Sequence, residues 1–230
     1  MMVNGALPKV LGVMFVLGGL AGCEGRGTNG LPFLASYDFE DGQAEGWQPN
    51  LAENWRIVGE DGSMVYQLVA PGEPGEVRAP TSWSLLSNHP VSSFVFSGRL
   101  KSHADPGNPN RDMCLFFHYR DPTHFYYVHF SASSDEVHNI IGLVDGADRI
   151  KVNRELAGAS VFRLTDTDWH QFKLSFDAGT GEVQAFLDDM ETPIVTASGL
   201  AFRDGLVGVG SFDDTGSFDD LRLWGETVSR

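Results

Sequence analysis

From residue 36 onward, apolar and polar positions alternate in short runs, broken every few residues by Gly, Pro, Asn or Asp. Period-two alternation places one face of a strand in a core and the other in water. The pattern predicts strands over residues 36–39, 55–58, 64–69, 93–100, 113–119, 125–131, 139–144, 149–153, 170–176, 182–187, 205–210 and 217–224. The clearest hairpin joins Gln171–Phe176 to Glu182–Leu187 through Asp177-Ala178-Gly179-Thr180-Gly181. No window carries a helical stripe beyond a turn near 156–159. So many short strands with turn signals between them predict an all-β, two-sheet antiparallel sandwich.

Alternation also assigns faces. In Met113–Arg120, one side carries Met113, Leu115, Phe117 and Tyr119, and the other Cys114, Phe116, His118 and Arg120. The next run splits Tyr126, Val128 and Phe130 from Phe125, Tyr127 and His129. If the more apolar faces turn inward, His118, Arg120, Tyr127 and His129 share an outer face. His138, Asn139 and Arg149 come closely enough after them to join.

The first residues differ in kind. One lysine, Lys9, precedes an apolar stretch over residues 10–17, too short to span a bilayer, which ends in Leu20-Ala21-Gly22-Cys23. That string resembles the bacterial lipobox, which implies cleavage before Cys23 and lipidation of its thiol. The expected organisation is a signal peptide over 1–22, a lipidated glycine-rich tether over 23–35 and a folded domain over 36–230. The expected location is the cell envelope, on a lipid anchor, with Glu24 after the cysteine fitting outer-membrane sorting. Lipidation of Cys23 leaves Cys114 a lone thiol, so no intramolecular disulfide is expected.

The chain has 230 residues and a formal charge of −15, which argues against nucleic acid as a partner because phosphate binding needs a positive field.

The run His118-Tyr119-Arg120-Asp121-Pro122-Thr123-His124-Phe125-Tyr126-Tyr127 resembles the central hairpin of concanavalin A-like, laminin-G-like jelly rolls. Asp168-Trp169-His170-Gln171-Phe172, Gly205–Gly210 and Gly216-Ser217-Phe218-Asp219-Asp220 continue the likeness, as does the opening Tyr37-Asp38-Phe39-Glu40-Asp41-Gly42 with Trp47. Bacterial members of that superfamily include sugar-binding modules, glucanases, polysaccharide lyases and a 3-keto-disaccharide hydrolase-like group. The resemblance implies recognition of polysaccharide or glycoconjugate on the concave face of a jelly roll.

The candidate contact set is His118, Arg120, Tyr127, His129, His138, Asn139 and Arg149. Aromatic rings stack on pyranoses while His, Asn and Arg bond hydroxyls. The rival reading is an enzyme, a uronate lyase or glycoside hydrolase using the same His/Tyr/Arg group for proton transfer. The glucanase string Glu-x-Asp-x-Glu is absent, and with it the paired carboxylates that mechanism needs. A protein-interaction module is a third possibility. The resemblance further implies a structural calcium ion between an N-terminal-strand acid and a C-terminal aspartate, here Glu40 with Asp220, or Asp38 and Asp219 in their places.

Overall fold

A computed structural model describes residues 30–153 and 163–229. Among them, fifteen strands form two antiparallel sheets: β1 (Phe33–Tyr37), β2 (Trp47–Pro49), β3 (Trp55–Glu60), β4 (Ser63–Leu68), β5 (Ser82–Leu86), β6 (Val91–Ser102), β7 (Asp112–Asp121), β8 (His124–Ser131), β9 (Ile140–Asp145), β10 (Ile150–Lys151), β11 (His170–Asp177), β12 (Glu182–Leu187), β13 (Val195–Ser198), β14 (Leu206–Ser211) and β15 (Gly216–Thr227). The eight-stranded sheet runs β13-β12-β11-β6-β15-β4-β3, with β1 also paired to β15. The seven-stranded sheet runs β10-β9-β8-β7-β14-β5-β2. The all-β sandwich expected from alternation is the observed architecture. Its first strand begins at Phe33, inside the segment read as tether. The turn expected near 156–159, the signal segment and Cys23 lie outside the described residues.

Between the sheets, Phe94, Phe96 and Leu100 of β6 and Phe172, Leu174 and Phe176 of β11 meet Met113, Leu115 and Phe117 of β7 and Tyr126, Val128 and Phe130 of β8. Every one of these is at most 2% exposed. Each such side chain contributes about 1.5–3 kcal/mol relative to its exposed state. The hairpin β11–β12 pairs Phe172 with Leu187 and Asp177 with Glu182, as its alternation dictates.

The seven-stranded sheet is apolar on both faces. Its outward side carries a second cluster of Leu85, Cys114, Phe116, Tyr119, Phe125, Tyr127, Val144 and Phe212. Residues 69–81, rich in Pro and Gly, cross this side as an irregular strap that packs Val77 and Ala79 onto it. Backbone bonds fasten the strap: Arg78 N–H donates to Asp148 Oδ1 at 2.8 Å and Arg149 N–H to Arg78 O at 3.0 Å. Thr81 N–H donates to Phe212 O at 3.0 Å.

Candidate functional site

The seven residues expected to share one open face do not do so. His118 lies inside the sandwich. One extra residue enters β7 here: β14 advances from Leu206 to Gly208 while its partners advance from Tyr119 to Phe116. His118 absorbs this bulge at φ +47°, a left-handed conformation that puts its ring on the same side as Phe117. The imidazole sits among Phe94, Phe117 and Phe176, with Nδ1 3.0 Å from Phe202 O. Burial pulls its pKa down to about 4. Gly205 faces the bulge, where any Cβ would overlap the His118 backbone.

Tyr127 and His129 do point outward, but beneath cover. Tyr127 is fully buried, its ring lying over Gly142. Its hydroxyl has no hydrogen-bond partner among the described residues, and burial pushes its pKa up. His129 is 3% exposed, its Nδ1 2.8 Å from Val137 O and its Nε2 2.8 Å from Asp112 Oδ2. Asp112 itself is saturated by His129, the Ser211 hydroxyl and the Phe212 N–H.

The remaining four have local tasks. His138 bonds Asp135, three positions back, at 2.9 Å, and its ring stands 5.4 Å from that of His129. Asn139, at φ +52°, ties Ser131, Ser133 and Ser134 together. Arg149 lies over the Phe212 ring at 4.5 Å, helping to pin the strap. Arg120 is exposed elsewhere, 3.4 Å from Asp204 and stacked on Phe202. The expected groove is therefore replaced by a covered second core with a structural rim.

The acids proposed for calcium meet differently as well. Ser63 Oγ lies 2.6 Å from Glu40 Oε1 and 3.2 Å from Asp219 Oδ2, so Glu40 and Asp219 converge on one hydroxyl. The two partner acids lie on β15 at a register irregularity, with Asp220 at φ +52°. The Arg99 guanidinium bonds Asp219 and stands 3.3 Å from the Asp220 carboxylate. A fixed cation and a hydroxyl thus hold these oxygens, and the residues present do not fit a calcium ion, which needs several free oxygen ligands.

The outward face of the eight-stranded sheet is open. Across its three central strands, three ladder rows run side by side. Asp219 of β15 pairs with Arg99 of β6, and Arg99 with Gln171 of β11. Next come Arg222, Ser97 and Lys173, then Trp224, Val95 and Ser175. These nine side chains lie on the outward face, opposite the core residues Phe96, Leu221 and Leu223, with the register shift at Asp220 keeping Asp219 in phase with Arg222. Val95 and Asp219 are buried there, and the other seven are partly or fully exposed.

A depression of about 360 Å³ is lined by Arg99, Gln171, Lys173, Met190, Arg222 and Trp224 among others. A second depression, of about 630 Å³, is lined by Ser93, Ser175, Glu182, Gln184 and Glu226 among others. Trp224 is half-buried and edge-on to Phe33 at 5.7 Å. Trp169 stacks under Arg99 at 4.6 Å and donates to Asp61.

Trp169 and Trp224 are not among the candidate contact residues, because tryptophans are more often core than ligand platforms. The available signal to the contrary is Arg222-Leu223-Trp224, whose alternation sets Arg222 and Trp224 on one face opposite Leu223.

No family model and no curated protein matches the chain. Solved structures do. Carbohydrate binding module CBM66 from Bacillus subtilis is similar at 18% identity and TM-score 0.56, over 78% of this chain and 96% of that one. A protein of unknown function with a galectin-like fold, also from Bacillus subtilis, aligns at 12% identity and TM-score 0.54, over 86% and 97%. The metal-free form of lectin I-B4 from Griffonia simplicifolia aligns at 11% and 0.51, over 83% and 98%. The chain has the concanavalin A-like jelly-roll fold that its central hairpin and closing strand resemble.

Proposed function

We propose that this chain is an exported, lipid-anchored lectin-like protein that binds carbohydrate in the open groove of its eight-stranded sheet. The observation that carries the reading is the juxtaposition of Trp224 with Arg222, Gln171 and Lys173 along one solvent-facing depression. A flat indole offers a stacking surface for a pyranose, and the flanking amide and cations supply hydrogen-bond donors. Two of the similar structures are named as a carbohydrate-binding module and a lectin, which supports the same reading.

Binding is favoured over catalysis because His118, Tyr127 and His129, the groups a proton-transfer mechanism would use, are all buried. Among the described residues, no His, Tyr or Cys lines either depression. Calcium is not part of the proposal, since Arg99 already engages the acids that would hold it.

Glycan-array screening of the purified domain, with Trp224→Ala as the control, tests the reading. Loss of retention by at least tenfold in that variant supports it; undiminished retention moves the site elsewhere. Metabolic labelling with a fatty acid, lost in Cys23→Ala, tests the anchor.

A further inference from the structure

We infer that the sugar taken by this groove is anionic, its carboxylate or sulfate seated over Ser97 between Lys173 and Arg222. This rests on the carbohydrate reading above and narrows it to a ligand class.

The ladder register supplies the geometry. Ser97 of β6 is the direct partner of Arg222 on one side and of Lys173 on the other. Neighbouring strands stand about 4.8 Å apart, so the two cationic residues spring from backbones about 10 Å apart with a small hydroxyl between them. Long side chains on both walls and a short one on the floor make a cradle wide enough for a carboxylate or sulfate group.

Both cations keep donors for a ligand. The Arg222 side chain is 55% exposed, and it forms an ion pair with Asp220 at 3.9 Å, beyond hydrogen-bond range. Its guanidinium fork is suited to two parallel bonds with an oxyanion. Lys173 donates one bond to Met190 O and rests 3.7 Å from the ring centroid of Phe186, its partner on β12, so two of its three donors remain and its ammonium must swing toward β6 to meet a group over Ser97.

The chain carries −15 overall, yet three cations, Arg99, Lys173 and Arg222, gather on these rows. Acids accompany each of them: Arg99 contacts Asp219 and Asp220, Asp220 lies 3.9 Å from Arg222, and Asp189 and Glu191 act on Lys173. Burial also holds the Lys173 ammonium below its ordinary range, a penalty that a bound anion would offset.

Trp224 completes the match. It lies two residues beyond Arg222 on the same face, a step of about 7 Å along the strand. A sugar ring on the indole therefore carries an exocyclic acid group toward the cradle.

The test compares retention on polygalacturonate and on its methyl-esterified form, and on dextran sulfate and dextran, for the wild-type chain, Arg222→Gln, Lys173→Gln and Trp224→Ala. Thermal melts check that each variant folds; Arg222→Glu, at an exposed position, replaces Lys173→Gln if the latter does not. The expected result is at least tenfold preference for a charged polymer over its neutral counterpart. That preference should fall by at least tenfold in Arg222→Gln and in the Lys173 variant or its replacement. The polygalacturonate and dextran sulfate arms tell carboxylate from sulfate.

Equal binding of neutral polymers with no effect of Arg222→Gln overturns the anionic inference and leaves the carbohydrate reading standing. Polyanion retention unchanged in Trp224→Ala and Arg222→Gln means nonspecific adsorption and also overturns it. Binding to no glycan overturns both.

Discussion

The two sheets of this sandwich treat their outward faces in opposite ways. On the seven-stranded sheet, Cys114, Phe116, Tyr119, Phe125 and Tyr127 are buried in a cluster on which Trp83 and the strap residues Val77 and Ala79 pack. On the eight-stranded sheet, Ser97, Arg99, Gln171, Lys173, Arg222 and Trp224 remain accessible in a groove. The difference is one of composition. A face of large aromatic side chains exposes too much apolar area to stay bare, whereas a face of serine, glutamine and cations needs no cover. The histidine- and tyrosine-rich face that looks chemical in the sequence is a second core, and the plainer face is the one a ligand can reach.

The largest effect that would break this contrast lies under the strap. Phe116→Ala should destabilise the domain by about 3–5 kcal/mol, the usual cost of emptying a packed aromatic site, while glycan retention per folded molecule stays unchanged. Urea unfolding measures it; a loss below about 1 kcal/mol would mean the face is not packed.

Acid should act through the buried histidine of the bulge. The folded His118 pKa, about 4, lies below its unfolded value of 6.5, so the unfolded chain binds more protons between the two. This contribution is fully present above pH 6.5 and is lost as pH falls toward 4, by about 3 kcal/mol. Asp214 has the opposite sign. Burial and the neighbouring Asp112 raise its carboxyl to about 6, so its contribution is present below the unfolded 3.8 and lost as pH rises through 6. Because Asp214 is partly exposed, its share is the smaller. Asp214→Asn should therefore lose more stability than wild type between pH 7 and 4.5, measured by urea midpoints. An equal or smaller loss in the variant contradicts this balance.

Loosening the strap is a lesser perturbation. Arg78 stacks on Phe212 at 5.3 Å, so Arg78→Ala should cost about 1 kcal/mol. It should also speed labelling of the buried Cys114 thiol by a maleimide. Labelling as slow as in wild type would show that the strap is held without it.

Smallest of all, excess EDTA should shift the melting temperature by less than about 1 °C, because Arg99 already neutralises Asp219. A shift of several degrees would restore a bound ion.

Much of the fold is legible in the sequence. Hairpin β11–β12 has clean alternation, one apolar face and a glycine at φ +72° in its turn, so local chemistry and tertiary placement agree. The face assignment of β7 is not legible, for two physical reasons. Alternation assumes one buried side, but Met113-Cys114-Leu115-Phe116-Phe117 is continuously apolar, the mark of a strand buried on both. Alternation also assumes an unbroken register, and the bulge at His118 shifts the parity of the residues after it: Tyr119 packs beside Phe125 on the outward side, not with Phe117.

The strap reads as nothing but turn residues, since Pro, Gly and Glu give no hint that Val77 and Ala79 lie on aromatic rings. Strands β5 and β13 escape the alternation pattern because serine and threonine interrupt their apolar runs.

Amide exchange footprinting with a retained glycan bound tests the central assignment most directly. Protection confined to β6, β11 and β15 around Ser97, Lys173 and Trp224, with β7, β8 and the strap unaltered, is the result this account predicts. Protection centred on Tyr127, His129 or residues 69–81 would contradict it and return the binding face to the seven-stranded sheet.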